Sequence, residues 1–173
     1  MDSSTFTTLV QALQVTVVTS LIFIGGLSSC LSLWVVPLTA RLPPKLLTKQ
    51  FKQTFVWGGQ YLLPSSRALG AFLLLTTILT SRLPDPAEAE KWRNWAVLFC
   101  TLITIAPYEI YLIFPINDRV AEIGEELEKG AKEEGEVKKE LKELLAKWQF
   151  RNFGRVAMPV FVGVAGMVNI IKT

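Results

Sequence analysis

The chain has 173 residues, half of them apolar and only 19% charged, against about 25% charged residues in soluble domains. Its mean hydropathy of +0.37, with more than half of the charged residues in 118–147, is typical of an integral membrane protein with one solvated connection. The sequence has no histidine, which excludes His-ligated haem, His-containing zinc sites and Ser-His-Asp triads, and a net charge of +3 without a basic stripe argues against nucleic-acid binding.

Four apolar stretches meet or approach the roughly 20 residues that a transmembrane helix needs. They lie at about 9–38, 66–81, 92–114 and 152–171. The first has no charged residue, no basic start and no A-x-A cleavage site, so we interpret it as a retained helix rather than a signal peptide. The sequence therefore predicts an all-α integral membrane protein, a four-helix transmembrane bundle that forms one domain over 1–173.

The connection after the first span carries helix signals of its own. The Pro43–Pro44 pair suits the first turn of a helix. Apolar residues at helical spacing over 46–56 then predict an amphipathic helix that lies at the membrane interface. The Gly58–Gly59 pair and Pro64 predict an interruption before the second span.

The charged connection between the third and fourth spans, 118–147, also has apolar residues at helical spacing. Gly130 and Gly135 bracket a predicted break, which gives two solvent-facing helical pieces with Glu/Lys pairs one turn apart. The second piece is expected to run into the fourth span.

Lysine and arginine are concentrated in the first and third connections. Because cytoplasmic loops carry the excess of these residues, we expect both connections to be cytoplasmic and both termini to be lumenal or external.

Ionisable residues inside a span are candidates for function. Glu109 is the clearest, and the alternative is a helix-end carboxylate that pairs with Arg67 or Arg155. Arg67 opens the second span and could simply extend its charge towards the headgroups. Tyr61 and Tyr108 could belong to the interfacial aromatic belt, although Tyr108, next to Glu109, is also placed to donate to a ligand oxygen.

The end of the third span and the start of the fourth contain the most informative motif. Pro115 and Asn117 predict a turn at the end of the third span. Trp148, Asn152 and Arg155 follow at i, i+4 and i+7, so they share one face of a helix. This arrangement could hold a polar cluster for a ligand. The alternative is a structural clamp, in which Asn117 caps the helix end and Arg155 binds the freed carbonyls.

The Pro-x-Asn motif, the charged connection and the W-x-x-x-N-x-x-R motif resemble the anthrone oxygenase-like family of small four-helix membrane proteins. The resemblance implies oxidation of an anthrone to an anthraquinone by O2, without a metal or flavin cofactor. Fungal members of this family occur with aromatic polyketide pathways, which implies a lipophilic substrate and a location in the endoplasmic reticulum.

The resemblance also implies roles for the candidate residues. Glu109 would be the base that removes the acidic anthrone proton, with Arg155 and Asn152 as donors to the oxyanion. The predicted substrate-binding residues are Tyr108, Asn117, Trp148, Arg67 and Tyr61. Among them, Tyr108 and Asn117 would position the substrate and Trp148 would stack on it.

Two other functions stay open at this point. The same fold could catalyse a non-redox step, such as a cyclisation, on a lipophilic polyketide or terpenoid, or it could be a non-enzymatic scaffold or carrier. The expected partners are a lipophilic small molecule and the lipid bilayer, and a homo-oligomer stays an open alternative. No metal site is expected, and Cys30 and Cys100 lie in apolar runs that do not predict a disulfide.

Overall fold

The computed structural model describes residues 2–172, and these residues form helices and connections without any strand. Four helical stretches are long and apolar enough to cross a membrane, judged by length and composition. They are Ser3–Thr39, Pro44–Thr80, Pro86–Glu128 and Glu134–Ile171. The prediction of an all-α membrane protein with four spans is therefore confirmed. The single-domain assignment, the compartment and the orientation stay predictions.

The first stretch consists of α1 (Ser3–Cys30), a π-helical segment (Leu31–Val35) and α2 (Val36–Thr39). We call Leu31–Val35 the first π-segment. In a π-helix each N–H bonds to the carbonyl five residues earlier, and such short segments occur frequently at functional sites.

The second stretch is α3 (Pro44–Thr80), a single helix of 37 residues. It begins at Pro44, as the proline pair predicts, and the residues of the expected amphipathic helix form its first part. The interruption predicted at Gly58–Gly59 and Pro64 is wrong. The helix runs through all three residues, because neighbouring groups in a helical membrane protein can compensate for the bonds that Pro64 and the glycines weaken. The buried face around Leu47 and Phe51 supports the helix before the glycines.

The third stretch combines four helices and a second π-helical segment. The helices are α4 (Pro86–Glu90), α5 (Trp92–Ile103), α6 (Ile105–Tyr108) and α7 (Phe114–Glu128). The second π-segment, Glu109–Ile113, connects α6 to α7. The turn predicted at Pro115 and Asn117 is wrong, because both residues lie in the first turn of α7, a position that proline tolerates well.

The fourth stretch is α8 (Glu134–Ile171), which is continuous over 38 residues. The break predicted near Gly130 is confirmed, and Gly130 has a φ of 68°, a conformation that favours glycine after a helix C-terminus. The charged piece runs directly into the fourth span, as expected. Arg119 of α7 bonds to Glu140 of α8 at 2.7 Å, which links the two charged pieces. It also bonds to Glu122 of its own helix at 3.1 Å.

The chain divides into two compact units, and each contains a part of every long stretch. Unit 1 comprises 2–26, Pro64–Ile105 and 157–172, and its interior is an apolar cluster. This cluster consists of Val17, Val18, Leu21, Leu73, Trp95, Leu98, Leu102 and Val162. Gly163 and Gly166 let α8 approach α1, because a Cβ at Gly163 would lie 2.9 Å from the carbonyl oxygen of Val18.

Unit 2 comprises Leu27–Leu63 and Ala106–Val156 and contains most of the charged residues. Its apolar cluster consists of Val36, Leu47, Phe51, Ile113, Ile116, Val120, Ile123, Leu127, Val137, Leu141, Leu145 and Trp148. All predicted site residues except Arg67 belong to this unit.

Candidate functional site

Residues 148–155 of α8 carry a dense set of polar side chains that bind both π-segments of unit 2. The predicted trio Trp148, Asn152 and Arg155 lies on this part of the helix, as the spacing indicates. Two further residues, Gln149 and Arg151, join them through hydrogen bonds.

The first π-segment leaves one carbonyl without its regular donor. The N–H of Val36 bonds to the carbonyl of Leu31, five residues earlier. The next donor in this register would be Pro37, which has no N–H, so the carbonyl of Ser32 loses its partner. The side-chain Nε2 of Gln149 donates to this carbonyl oxygen at 2.7 Å. Gln149 therefore satisfies a backbone group that proline leaves open.

Asn152 is completely buried and binds the same segment. Its Nδ2 donates to Ser32 Oγ at 2.7 Å and to the carbonyl oxygen of Ser28 at 3.3 Å. Because a carbonyl oxygen can only accept, the contact with Ser28 fixes which end of the amide points there. Both amide hydrogens are engaged, and within residues 2–172 the Oδ1 atom has no hydrogen-bond partner. The expected role of Asn152 as an oxyanion donor therefore does not fit, and the atom left for a ligand is an acceptor.

The second π-segment, in the third stretch, is also followed by a proline and also binds a side chain of α8. The N–H of Phe114 bonds to the carbonyl of Glu109, and Pro115 again follows as the next residue. A side chain of α8 again donates to the segment, but to a different carbonyl. In this register Pro115 leaves the carbonyl of Ile110 open, whereas Arg151 Nη1 lies 2.8 Å from the carbonyl oxygen of Leu112. In the structural-clamp alternative Arg155 would bind the freed carbonyls, but Arg151 makes the carbonyl contact here.

Arg155 forms an ion pair with Glu109, which opens the second π-segment. The Nε atom of Arg155 lies 2.8 Å from Oε1 of Glu109. The two side chains are 19% and 13% exposed, so the pair is largely shielded but remains partly accessible. Of the two pairings open at the sequence level, the structure contains the one with Arg155. A carboxylate beside a fixed cation can accept a proton while the cation attracts negative charge that develops nearby.

Tyr108 holds the same region in place. Its hydroxyl donates to the carbonyl oxygen of Arg151 at 2.7 Å, so it is engaged with the protein backbone. Its ring lies directly over Gly154, where an added Cβ would lie 2.7 Å from Tyr108 Cζ. Glycine at this position lets α8 and Tyr108 approach closely.

We expect Gly154→Ala to lower the free energy of unfolding by about 1–3 kcal/mol, because the added methyl group displaces Tyr108 from its hydrogen bond. The measurement is thermal or denaturant unfolding of the purified protein in detergent. Gly70→Ala is the matched control, because a Cβ at this helical glycine meets no atom within 4 Å. It should be neutral or raise the stability by up to about 1 kcal/mol. Equal effects of the two substitutions would contradict the role of Gly154.

Asn117 and Trp148 satisfy each other inside the apolar cluster of unit 2. Trp148 Nε1 donates to Asn117 Oδ1 at 2.9 Å, and both residues are buried. The Trp148 ring also meets the edge of Phe51, with centroids 5.6 Å apart and planes at 84°. These contacts favour the structural role for both residues over stacking on a substrate.

Tyr61 and Arg67 lie outside this set of contacts. Tyr61 is 67% exposed, and its ring contacts Trp57 at a centroid distance of 6.4 Å. Arg67 is exposed and belongs to unit 1.

The structure adds four residues that the sequence analysis missed: Ser28, Ser32, Gln149 and Arg151. A sequence signal exists for Gln149, because Pro37 interrupts an apolar span and leaves a carbonyl that requires a substitute donor. Among the described residues, no group of three or more His, Cys, Asp or Glu side chains is placed to hold a metal ion. Cys30 and Cys100 are not joined by a disulfide.

A small cavity of about 60 Å³ lies elsewhere in unit 2, between the start of α3 and the end of α7. It is lined by Thr48, Lys49, Lys52, Ala121, Gly124, Glu125 and Glu128. None of the predicted site residues lines it.

Comparisons with known proteins agree with the sequence motifs. The family model described as "Anthrone oxygenase" matches residues 51–165, more than half of the chain. This range includes Glu109, Tyr108, Asn117 and the segment 148–155. No curated protein and no solved structure matches the chain.

Proposed function

Because the chain belongs to the anthrone oxygenase family, we propose that it oxygenates an anthrone-type aromatic polyketide to a quinone. The family implies an oxygenase, and the four candidate spans make it an integral membrane protein. The observation that carries the proposal is the shielded ion pair of Glu109 and Arg155, which lies inside the matched range.

The reaction needs a base that removes a proton from the methylene carbon of the anthrone. The methylene group of an anthrone lies between two aromatic rings and is conjugated to the carbonyl, so its protons are acidic. Removal of one proton gives an enolate, which reacts with O2 at the former methylene carbon. Loss of water then gives the quinone, so one oxygen atom enters the product and the other leaves as water. Two hydrogen atoms leave the carbon, and O2 is the oxidant.

We assign Glu109 as the base, because it is the carboxylate that unit 2 holds beside a fixed cation at the start of a π-segment. Arg155 attracts the negative charge of the enolate oxygen. The unpartnered Oδ1 of Asn152 lies one turn away on α8 and is suited to accept a hydrogen bond from a substrate hydroxyl. Gln149, Arg151 and Tyr108 act through the backbone, by fixing both π-segments and α8.

The test is the rate of quinone formation from an anthrone such as emodin anthrone, with purified protein in metal-free detergent solution. We expect the protein to accelerate the reaction under air and to give no quinone under nitrogen. With ¹⁸O-labelled O2, one labelled atom should enter each quinone. Heat-denatured protein in the same detergent controls for the spontaneous reaction. Absence of acceleration would contradict the proposal, and a cyclised product without added oxygen would favour the non-redox alternative.

The location belongs to the same proposal. We assign the protein to the endoplasmic reticulum, with the first and third connections in the cytoplasm and both termini in the lumen. The distribution of lysine and arginine supports this orientation, since both connections carry their excess.

A further inference from the structure

The first part of the chain has an unusual charge distribution. Residues 3–84 contain six basic residues and no acidic residue. Four of the six lie within twelve positions at the end of the first stretch and the start of α3, and we call them the basic segment: Arg41, Lys45, Lys49 and Lys52.

The basic segment is exposed and its charges are uncompensated by ion pairs. All four side chains are exposed, and among residues 2–172 none of them forms a salt bridge. Lys45, Lys49 and Lys52 share one face of α3, because they follow one another at four and three residues. Leu47 and Phe51 lie on the other side of α3, roughly 140° around the helix axis from the lysines, and are buried in the apolar cluster of unit 2, so the lysines face away from that cluster.

Two carboxylates of α7 face part of the basic segment. Glu125 and Glu128 line the small cavity together with Lys49 and Lys52. Arg41 and Lys45 do not line this cavity. The positive charge of Arg41 and Lys45 is therefore the less compensated half of the segment.

The position of the segment along α3 places it near a membrane surface. The helix is about 55 Å long, whereas crossing the hydrocarbon core takes about 20 residues, or roughly 30 Å. The lysines occupy the end of α3 that precedes two exposed aromatic residues, Trp57 and Tyr61, at 57% and 67% exposure. Such residues mark the level of the headgroups, and Lys52 lies about 7.5 Å before Trp57 along the axis, within the Debye length of about 8–10 Å.

We infer that the basic segment binds anionic phospholipid headgroups in the membrane that the protein spans. Clusters of four or more lysines and arginines next to a membrane span are attracted to anionic lipids. The exposure, the absence of acidic neighbours over residues 3–84 and the aromatic residues beside the segment all fit this partner. The inference is independent of the proposed oxygenation.

The test is the lipid composition that the full-length protein retains. The protein is reconstituted in vesicles that mix phosphatidylcholine and phosphatidylglycerol, extracted in mild detergent, and its bound lipids are quantified. We expect enrichment of phosphatidylglycerol that decreases with rising salt. Changing all four cations of the basic segment to glutamine should abolish the enrichment, because each cation removed is expected to lower the affinity for anionic lipid about fivefold.

The matched control changes four exposed lysines of α8 to glutamine: Lys138, Lys139, Lys142 and Lys147. This variant loses the same net charge but should keep the enrichment, because these lysines lie among acidic residues. The double change Arg41→Gln and Lys45→Gln leaves the residues of the cavity unchanged. It should lose more of the phosphatidylglycerol enrichment than the double change Lys49→Gln and Lys52→Gln.

Three results would overturn the inference. The first is equal loss of phosphatidylglycerol in the basic-segment variant and the α8 control. The second is displacement of the lipid by inorganic phosphate at low concentration, which would indicate a site for free phosphate. The third is binding of a single-stranded RNA through the basic segment without lipid enrichment. Unfolding temperatures close to that of the unmodified protein confirm that all variants are folded.

Discussion

Glu109→Gln is expected to lower the rate of oxygen-dependent quinone formation by about 10²- to 10⁴-fold, the usual contribution of a positioned base. Glutamine has nearly the same shape and can still accept a hydrogen bond from Arg155, but it cannot take up the substrate proton. The measurement is the initial rate of quinone absorbance under air, after subtraction of the rate with denatured protein. Substrate affinity should change little, since the lost interaction forms during proton transfer.

Glu122→Gln is the matched control for this prediction. Glu122 lies on α7, is 64% exposed and pairs with Arg119 on the protein surface. Its replacement should leave the rate unchanged. If Glu109→Gln and Glu122→Gln gave equal rates, Glu109 would not be the base, although the oxygenation itself would still stand.

Arg155→Met is expected to lower the free energy of unfolding by about 3 kcal/mol, because it leaves the carboxylate of Glu109 shielded from water without its cation. This is the low end of the usual range for broken buried pairs, since both side chains keep some exposure. The measurement is denaturant unfolding in detergent, followed by tryptophan fluorescence. Adding Glu109→Gln to Arg155→Met should restore most of the lost free energy of unfolding, because the double variant has no unpaired charge at this site.

Arg93→Met tests whether any lost ion pair has this effect. Arg93 pairs with Glu90 at 2.9 Å, but the two side chains are 68% and 67% exposed. Its loss should cost at most about 1 kcal/mol. A similar cost for Arg93→Met and Arg155→Met would show that the shielding of Glu109 does not matter for stability.

The four spans could be predicted because long apolar runs with few charges have one dominant solution in a membrane. The continuity of α3 over Pro44–Thr80 could not be predicted in this way. Glycine pairs and proline are local signals for a break, yet Gly58, Gly59 and Pro64 lie inside one helix. Packing of α3 before and after these three residues offsets their local cost, and this packing cannot be read from the local sequence pattern.

The part of the candidate site that consists of side chains one helical turn apart could be predicted from the sequence. Asn152 and Arg155 follow from spacing, and the partner Glu109 was among the alternatives. Gln149 and Arg151 escaped prediction because they bind backbone carbonyls of distant segments, Ser32 and Leu112. Which carbonyl lacks a donor depends on the helical register, and the switch from α- to π-register is set by the packed structure.

The two π-segments receive their outside hydrogen bonds from the same helix, α8, so their motions are coupled. Gln149 and Arg151 are two residues apart on α8, and each supplies a hydrogen bond to a different segment. A rotation of α8 about its own axis displaces both donors at once, so the segments cannot be released independently. Asn152 and Arg155 move with them. Unit 2 therefore links Ser32 and Glu109 thermodynamically: a ligand that shifts one segment changes the free energy of the other, and the effect is reciprocal.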